Sequence, residues 1–209
     1  MTERSRKTVE SYGVRVLLAG HSNVRRLKRK TMPTRHGNRP WSSSWLLMDY
    51  LAKAGLASGA RVLDVGCGWG LAGIFCAKRF QASVTGVDAD PDVFPFLQLH
   101  AQVNGVEIHT LRREFTRVTT ETLRGFDLLI GTDICFWDEL VRPLRNLVLR
   151  ALRAGVRGAL IADPGRPPFE AVGEHFVDAR KGEVLDWEVK EPRAIRGQIL
   201  RVGSAPRLP

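Results

Sequence analysis

Gly66, Gly68, Gly70 and Gly73 punctuate VLDVGCGWGLAG, residues 62–73, between an apolar run that reads as a strand and a run with helical spacing. Glycine at these positions lets the chain turn sharply and lets a ligand approach the backbone closely, so the loop can hold something flat or anionic. Gly68, Gly70 and Gly73 also satisfy GxGxxG, a pattern shared with dinucleotide sites, so the neighbouring residues must decide between ligands. Asp64 closes the strand before the loop, where its carboxylate repels a pyrophosphate seated on the glycines.

S-adenosylmethionine (SAM) carries an ammonium and a sulfonium and no phosphate, which makes it compatible with Asp64. The alternative role for Asp64 is to fix the loop through hydrogen bonds from backbone N–H groups. Asp88, in VTGVDAD, closes the next strand about twenty residues on, where an acidic side chain accepts from ribose hydroxyls. Asp90 competes for that role and also suits the cap of a helix beginning at Pro91. Cys67 and Ala89 are taken with these two loops as cofactor contacts. Past the third strand, Glu114 can meet the edge of an adenine and Phe115 its face, although Glu114 also fits a solvated loop.

The fourth strand ends in GTDICFWDEL, residues 131–140, which brings Asp133, Phe136 and Trp137 to the same edge. Methyl transfer is an in-line displacement at a sulfonium carbon, so the protein has to align the acceptor, exclude water and provide an uncharged lone pair. No metal is required. Asp133 can hold a lysine amine in line while Phe136 and Trp137 reduce its solvation and favour the neutral form. Alternatively, Asp133 caps a following helix and the aromatics belong to the core. In ADPGRPPF, residues 162–169, prolines stiffen a loop in which Arg166 can bind a carboxylate, one of the protein's own included, and Asp163 can order the site.

These residues need a scaffold. From about residue 60, short β-branched runs alternate with longer amphipathic ones, the signature of βαβ units and hence of a Rossmann-like, doubly wound, mostly parallel α/β sheet with helices on both faces. Strands are expected at 61–65, 83–88, 107–112, 126–131 and 159–163, with helices at 72–80, 91–104 and 139–154. A helix near 169–175 precedes three expected antiparallel edge strands at 176–180, 184–189 and 198–202. Ser42, Ser43 and Ser44 offer N-caps to a helix at 45–54. Upstream, 14–18 and 24–27 flank the turn-like AGHSN as a hairpin or a loose arm.

The charge is concentrated at one end. Of the net +10, residues 1–40 hold 11 Lys/Arg against 2 Asp/Glu, and the remainder is nearly balanced at 21 against 20. Residues 1–39 are therefore read as a basic arm and 40–209 as the folded domain. The run Arg25, Arg26, Lys28, Arg29, Lys30 can dock an acidic partner, neutralise phosphates or simply be solvated. Three cysteines at unrelated spacings suit neither zinc nor a disulfide framework, and no apolar run reaches membrane-spanning length. A cytoplasmic protein without metal or membrane partner is expected.

Residues 40 to about 170 resemble the seven-β-strand class I SAM-dependent methyltransferases, with VLDVGCGWG as the glycine motif and GVDAD as the acidic motif. Within that class the chain is similar to the protein-lysine methyltransferase group, and DPGRPPF to the electron-transfer flavoprotein β-subunit lysine methyltransferases. The resemblance implies SAM as cofactor, a protein lysine as acceptor and Trp41 as a cofactor-side contact. The group often has a tyrosine three residues after the strand-end aspartate, where this chain has Phe136 after Asp133. RNA or small-molecule methylation, and a non-catalytic RNA- or protein-binding module, are the alternatives. The absence of an NPPY-type strand end argues against methylation of base amines.

Overall fold

The computed structural model describes residues 7–33 and 37–208; the parts of the expected arm at 1–6 and 34–36 lie outside the described residues. Strands β1 (Thr8–Ser11) and β2 (Val14–Leu17) form an antiparallel hairpin, followed by the short helix α1 (Ser22–Lys28) and by α2 (Ser43–Ala54). The βαβ units then run β3 (Arg61–Val65), α3 (Leu71–Phe80), β4 (Ser83–Asp88), α4 (Phe94–Asn104), β5 (His109–Arg112), α5 (Thr120–Leu123), β6 (Leu128–Thr132), α6 (Val141–Arg153) and β7 (Gly158–Asp163). Helix α7 (Pro167–Asp178) and strands β8 (Gly182–Val189) and β9 (Ile195–Gly203) complete the chain.

The seven-stranded sheet has the order β5-β4-β3-β6-β7-β9-β8. Its first five strands are parallel, as the alternating pattern predicts, and β9 and β8 are antiparallel. Strand side chains alternate between two cores because neighbouring residues point to opposite faces. Val62, Val84, Ile130 and Leu160 pack beneath α2 and α3, while Leu63, Leu129, Ile161 and Leu200 pack beneath α6 and α7. With both faces covered, β7 is apolar almost throughout and wholly buried.

Three expectations need correcting. Residues 176–180 are not a strand: Phe176 is buried in the last turns of α7, its spacing helical with Phe169 and Val172. Strand β9 is also not an edge, since it lies between β7 and β8, and of the two C-terminal strands only β8 is outermost. The hairpin turns at Tyr12 and Gly13, with positive φ at both, and 24–27 belongs to α1. These two central residues suit the tight turn between paired strands.

The hairpin is docked on α4 by side chains that act as a substitute strand. Asn104 accepts from the Arg15 N–H at 2.8 Å and donates to the Arg15 carbonyl at 2.8 Å. One turn earlier, buried His100 accepts from the Leu17 N–H at 3.1 Å, and its Nδ1 meets the Phe96 carbonyl at 2.7 Å. These bonds satisfy main-chain groups that burial would otherwise strand. Val14 and Val16 are buried in the core beneath. Among the described residues no helix is long and apolar enough to cross a membrane.

Candidate active site

The chain moves from β3 through β4 to β5 in one direction and then crosses to β6 on the other side of β3, which opens a crevice at the C-terminal strand ends. A cavity of about 500 Å³ lies there, in the size range of small-molecule sites. Gly66, Gly68, Asp88, Ala89, Glu114 and Phe115 line one part of it, and Trp41, Asp133, Phe136 and Trp137 line another. Asp64, Cys67 and Gly70 do not line the cavity.

Asp64 lies at the strand end below the loop, and Cys67 and Gly70 belong to the loop without facing the cavity. Asp64 is buried, and its Oδ2 accepts from the Gly73 N–H in the first turn of α3 at 3.2 Å. A helix start leaves backbone donors without partners, and Gly70, at the N-cap, has no side chain to offer. The strand-end carboxylate therefore caps the next helix. Gly73 permits the approach, because a Cβ there would lie 3.0 Å from Asp64 Oδ2. Burial pushes the Asp64 carboxyl up to about 7, opposed by the Gly73 N–H and reinforced by the charge of Asp88. Burial likewise pushes the Cys67 thiol well up, so it is a packed apolar group.

Asp88 faces the cavity. Its two oxygens accept from the N–H groups of Gly68 and Asp90, each at 3.0 Å, which fixes the carboxylate against the loop. A carboxylate offers about four acceptor positions, more than these N–H groups use, so acceptor capacity remains for a hydroxyl group of a ligand. Burial raises the Asp88 carboxyl above the usual range, an effect the two N–H groups oppose. Gly68, at φ 51°, has open space where a Cβ would stand, so its loop leaves room for a ligand. Asp90 lines the cavity as well as capping, since its Oδ1 accepts from the Asp92 N–H at 2.9 Å.

Asp133 adopts φ 55°, a left-handed conformation that aspartate tolerates better than most residues. Three contacts hold it there. Its N–H donates to the Ala162 carbonyl at 2.9 Å, its Oδ2 accepts from the Ser43 N–H at 2.9 Å, and its Oδ1 accepts from Arg166 at 2.9 Å. The Ser43 bond caps α2, so Asp133 does the work expected of the serine run. The Ser42 hydroxyl makes no cap bond and instead accepts from Arg193 at 3.0 Å. Arg166 also reaches Asp163 at 2.7 Å and lies 4.4 Å from the centre of the Phe136 ring. Trp41 meets Phe136 edge-on at 5.1 Å, with the Arg39 guanidinium 4.1 Å from the Trp41 ring centre.

Sequence spacing did not reveal Gly37, Thr132 or Ile134 in the lining, nor the Ser43 N–H on Asp133. Gly37 arrives through Trp69, whose indole N–H donates to its carbonyl at 3.0 Å. The described residues contain no cluster of three or more His, Cys, Asp or Glu that could hold a metal.

Residues 62–155, which span the glycine loop, Asp88 and Asp133, match the family model for a methyltransferase domain. Over that stretch the chain carries a methyltransferase domain. The chain is 41% identical over 82 residues to the ubiquinone biosynthesis O-methyltransferase of Xylella fastidiosa (strain M23), covering 39% of this chain and 33% of that protein. The chain is also 28% identical over 141 residues to the electron transfer flavoprotein beta subunit lysine methyltransferase of Xenopus laevis, covering 65% of this chain and 56% of that protein. The chain thus spans between a third and little more than half of these relatives. A SAM-dependent methyltransferase from Aquifex aeolicus shares the fold, with a TM-score of 0.52 and 19% identity over 86% of this chain and 98% of that one. SAM is the cofactor of this class I methyltransferase fold, and the free acceptor positions of Asp88 and the open loop at Gly68 fit its ribose and amino-acid ends.

Proposed function

We propose that the protein is a SAM-dependent N-methyltransferase whose acceptor is a lysine amine of a protein. The observation that carries this reading is one cavity in which Asp88 lies on the glycine-loop side and Asp133, with Trp41, Phe136 and Trp137, lies on the other. Bound SAM supplies an electrophilic methyl group whose sulfur leaves with the S–C bonding pair. Asp88 would accept from its ribose hydroxyls, Glu114 and Phe115 would contact its adenine, and the open loop at Gly68, with Gly66 beside it in the lining, would leave room for its amino-acid end.

On the acceptor side, Asp133, Asp163 and Arg166 together carry one net negative charge beside the cavity. That charge attracts an ammonium from solution, and the aromatic walls lower its solvation so that it releases its proton to water. Asp133, fixed by Arg166 and Ser43, would then accept from an N–H of the neutral amine and turn its lone pair toward the transferable methyl group. The methylated ammonium that results would lose its extra proton to solvent. Phe136 contributes an apolar wall with no hydroxyl, so the carboxylate alone orients the amine.

The similarity to the electron transfer flavoprotein beta subunit lysine methyltransferase and the strand-end DPGRPPF support the lysine reading. Methylation of a small-molecule hydroxyl is the second reading, favoured by the 41% identical stretch. Incubation with methyl-tritiated SAM and a cell lysate, followed by acid hydrolysis, separates the two. Lysine methylation puts the label in methyl-lysine. Label confined to small organic molecules, with none in protein, sinks it.

A further inference from the structure

The charge of the cavity and the charge of its surroundings have opposite signs. Asp88, Asp90, Glu114 and Asp133 line the cavity, and no lysine, arginine or histidine does so among the described residues. Outside it, on the glycine-loop side, α1 and the residues after it expose Arg25, Arg26, Arg29 and Lys30, and no described carboxylate is ion-paired with any of them. On the adenine side, Arg112, Arg113 and Arg117 line a second cleft that shares Ala89 and Glu114 with the first.

The α1 cations are held in place beside the site. Val24 and Leu27 pack α1 onto Trp69 and Phe96, and Lys28 lies 6.0 Å from the centre of the Trp69 ring. Trp69 belongs to the glycine loop, stacks on Phe96 at 5.0 Å and donates to Gly37 of the cavity lining. A basic helix is thereby fastened to the cofactor loop, although nothing in the methyl-transfer chemistry uses its charge.

We infer that the α1 cations and the Arg112–Arg113–Arg117 cluster form a selectivity rim that docks an acidic protein surface around the acceptor lysine. This rests on the lysine reading above. The inner carboxylates attract a cationic amine, and the outer cations attract carboxylates surrounding it on the substrate. A nucleic-acid base brings no cationic acceptor to match Asp133, the lining carboxylate left to the acceptor side, so polyanion binding alone would leave that charge unexplained. Exposed cations act over about a Debye length, so the rim works as a steering surface that salt weakens.

The test is fluorescence anisotropy on the full chain saturated with S-adenosylhomocysteine. The probes are a labelled peptide with one central lysine among glutamates and aspartates, the same peptide with serine and alanine in place of the acids, and a labelled single-stranded RNA. The rim predicts binding at least tenfold tighter for the acidic peptide than for the neutral one, weakening steeply between low and high salt. The triple variant Arg25→Glu, Arg26→Glu, Arg29→Glu loses that preference and keeps its affinity for S-adenosylhomocysteine, which verifies folding. Salt titration of the unmodified chain needs no variant. Equal binding of the two peptides, or tighter binding of the RNA that disappears in the triple variant, overturns the inference. Methyl transfer is not read here, so failure of the rim and failure of lysine methylation are separate results.

Discussion

Arg166 donates to Asp133 at 2.9 Å and turns the strand-end carboxylate of β6 into a fixed group. The same guanidinium holds Asp163 of β7 at 2.7 Å, so one cation bridges two buried carboxylates at the C-terminal edge of adjacent strands. Removing the cation leaves both carboxylates facing each other without compensation.

Arg166→Met is therefore expected to lower stability by about 3 kcal/mol, the scale for breaking a buried pair from one side. Urea denaturation at neutral pH measures this. Burial raises the Asp163 carboxyl above its ordinary value, so the loss should shrink on acidification as that carboxyl takes up a proton and no longer needs the cation; a loss independent of pH would mean that packing, not charge, accounts for it.

Asp64 gives an opposite sign from the usual acid. Its folded-state value, about 7, lies above the ordinary 3.8, so the folded state binds the proton more tightly than the unfolded chain. The stability contributed by the protonated carboxyl is full below about pH 4 and declines as pH rises toward 7. Asp64→Asn removes this decline. The difference in denaturation midpoint between variant and parent should therefore move in the variant's favour from pH 4.5 to pH 8, and a constant difference across that window would contradict the buried, cap-forming role.

His100 works in the other direction. Burial lowers its pKa from 6.5, and the neutral ring is the form that accepts from Leu17. Stability from this bond is complete above about pH 6.5 and falls as pH drops through the lowered folded-state value. Amide hydrogen exchange at Leu17 should accelerate at pH 5 beyond the intrinsic pH effect. Asn104→Ala should accelerate exchange at Arg15 at every pH, because that side chain does not titrate.

Much of the fold was legible because burial on both sheet faces imposes apolar runs of strand length, and β3 and β4 coincide with the expected 61–65 and 83–88. Asp88 and Asp133 were legible as strand-end acids for the same reason: each follows an apolar run at the carboxyl edge. The role of Asp64 was not decidable from type and spacing, since only the approach of Gly73 shows which way its oxygens point. Ser43 escaped notice as a donor to Asp133 because the two are 90 positions apart and the bond uses a main-chain N–H, which leaves no mark on residue type. Residues 176–180 were misread because a β-favouring Phe–Val pair ends a helix whose apolar spacing begins earlier, at Phe169.

The division of the cavity into a cofactor side and an acceptor side is tested most directly by calorimetric titration of S-adenosylhomocysteine into the parent, Asp88→Ala and Asp133→Asn. Losing hydrogen bonds between ribose hydroxyls and a charged acceptor costs at least about 1.5 kcal/mol, so Asp88→Ala should bind more than about tenfold more weakly. Asp133→Asn should bind within a few-fold of the parent while losing methyl transfer. An unchanged affinity in Asp88→Ala, or no binding by the parent, would contradict this division of the site.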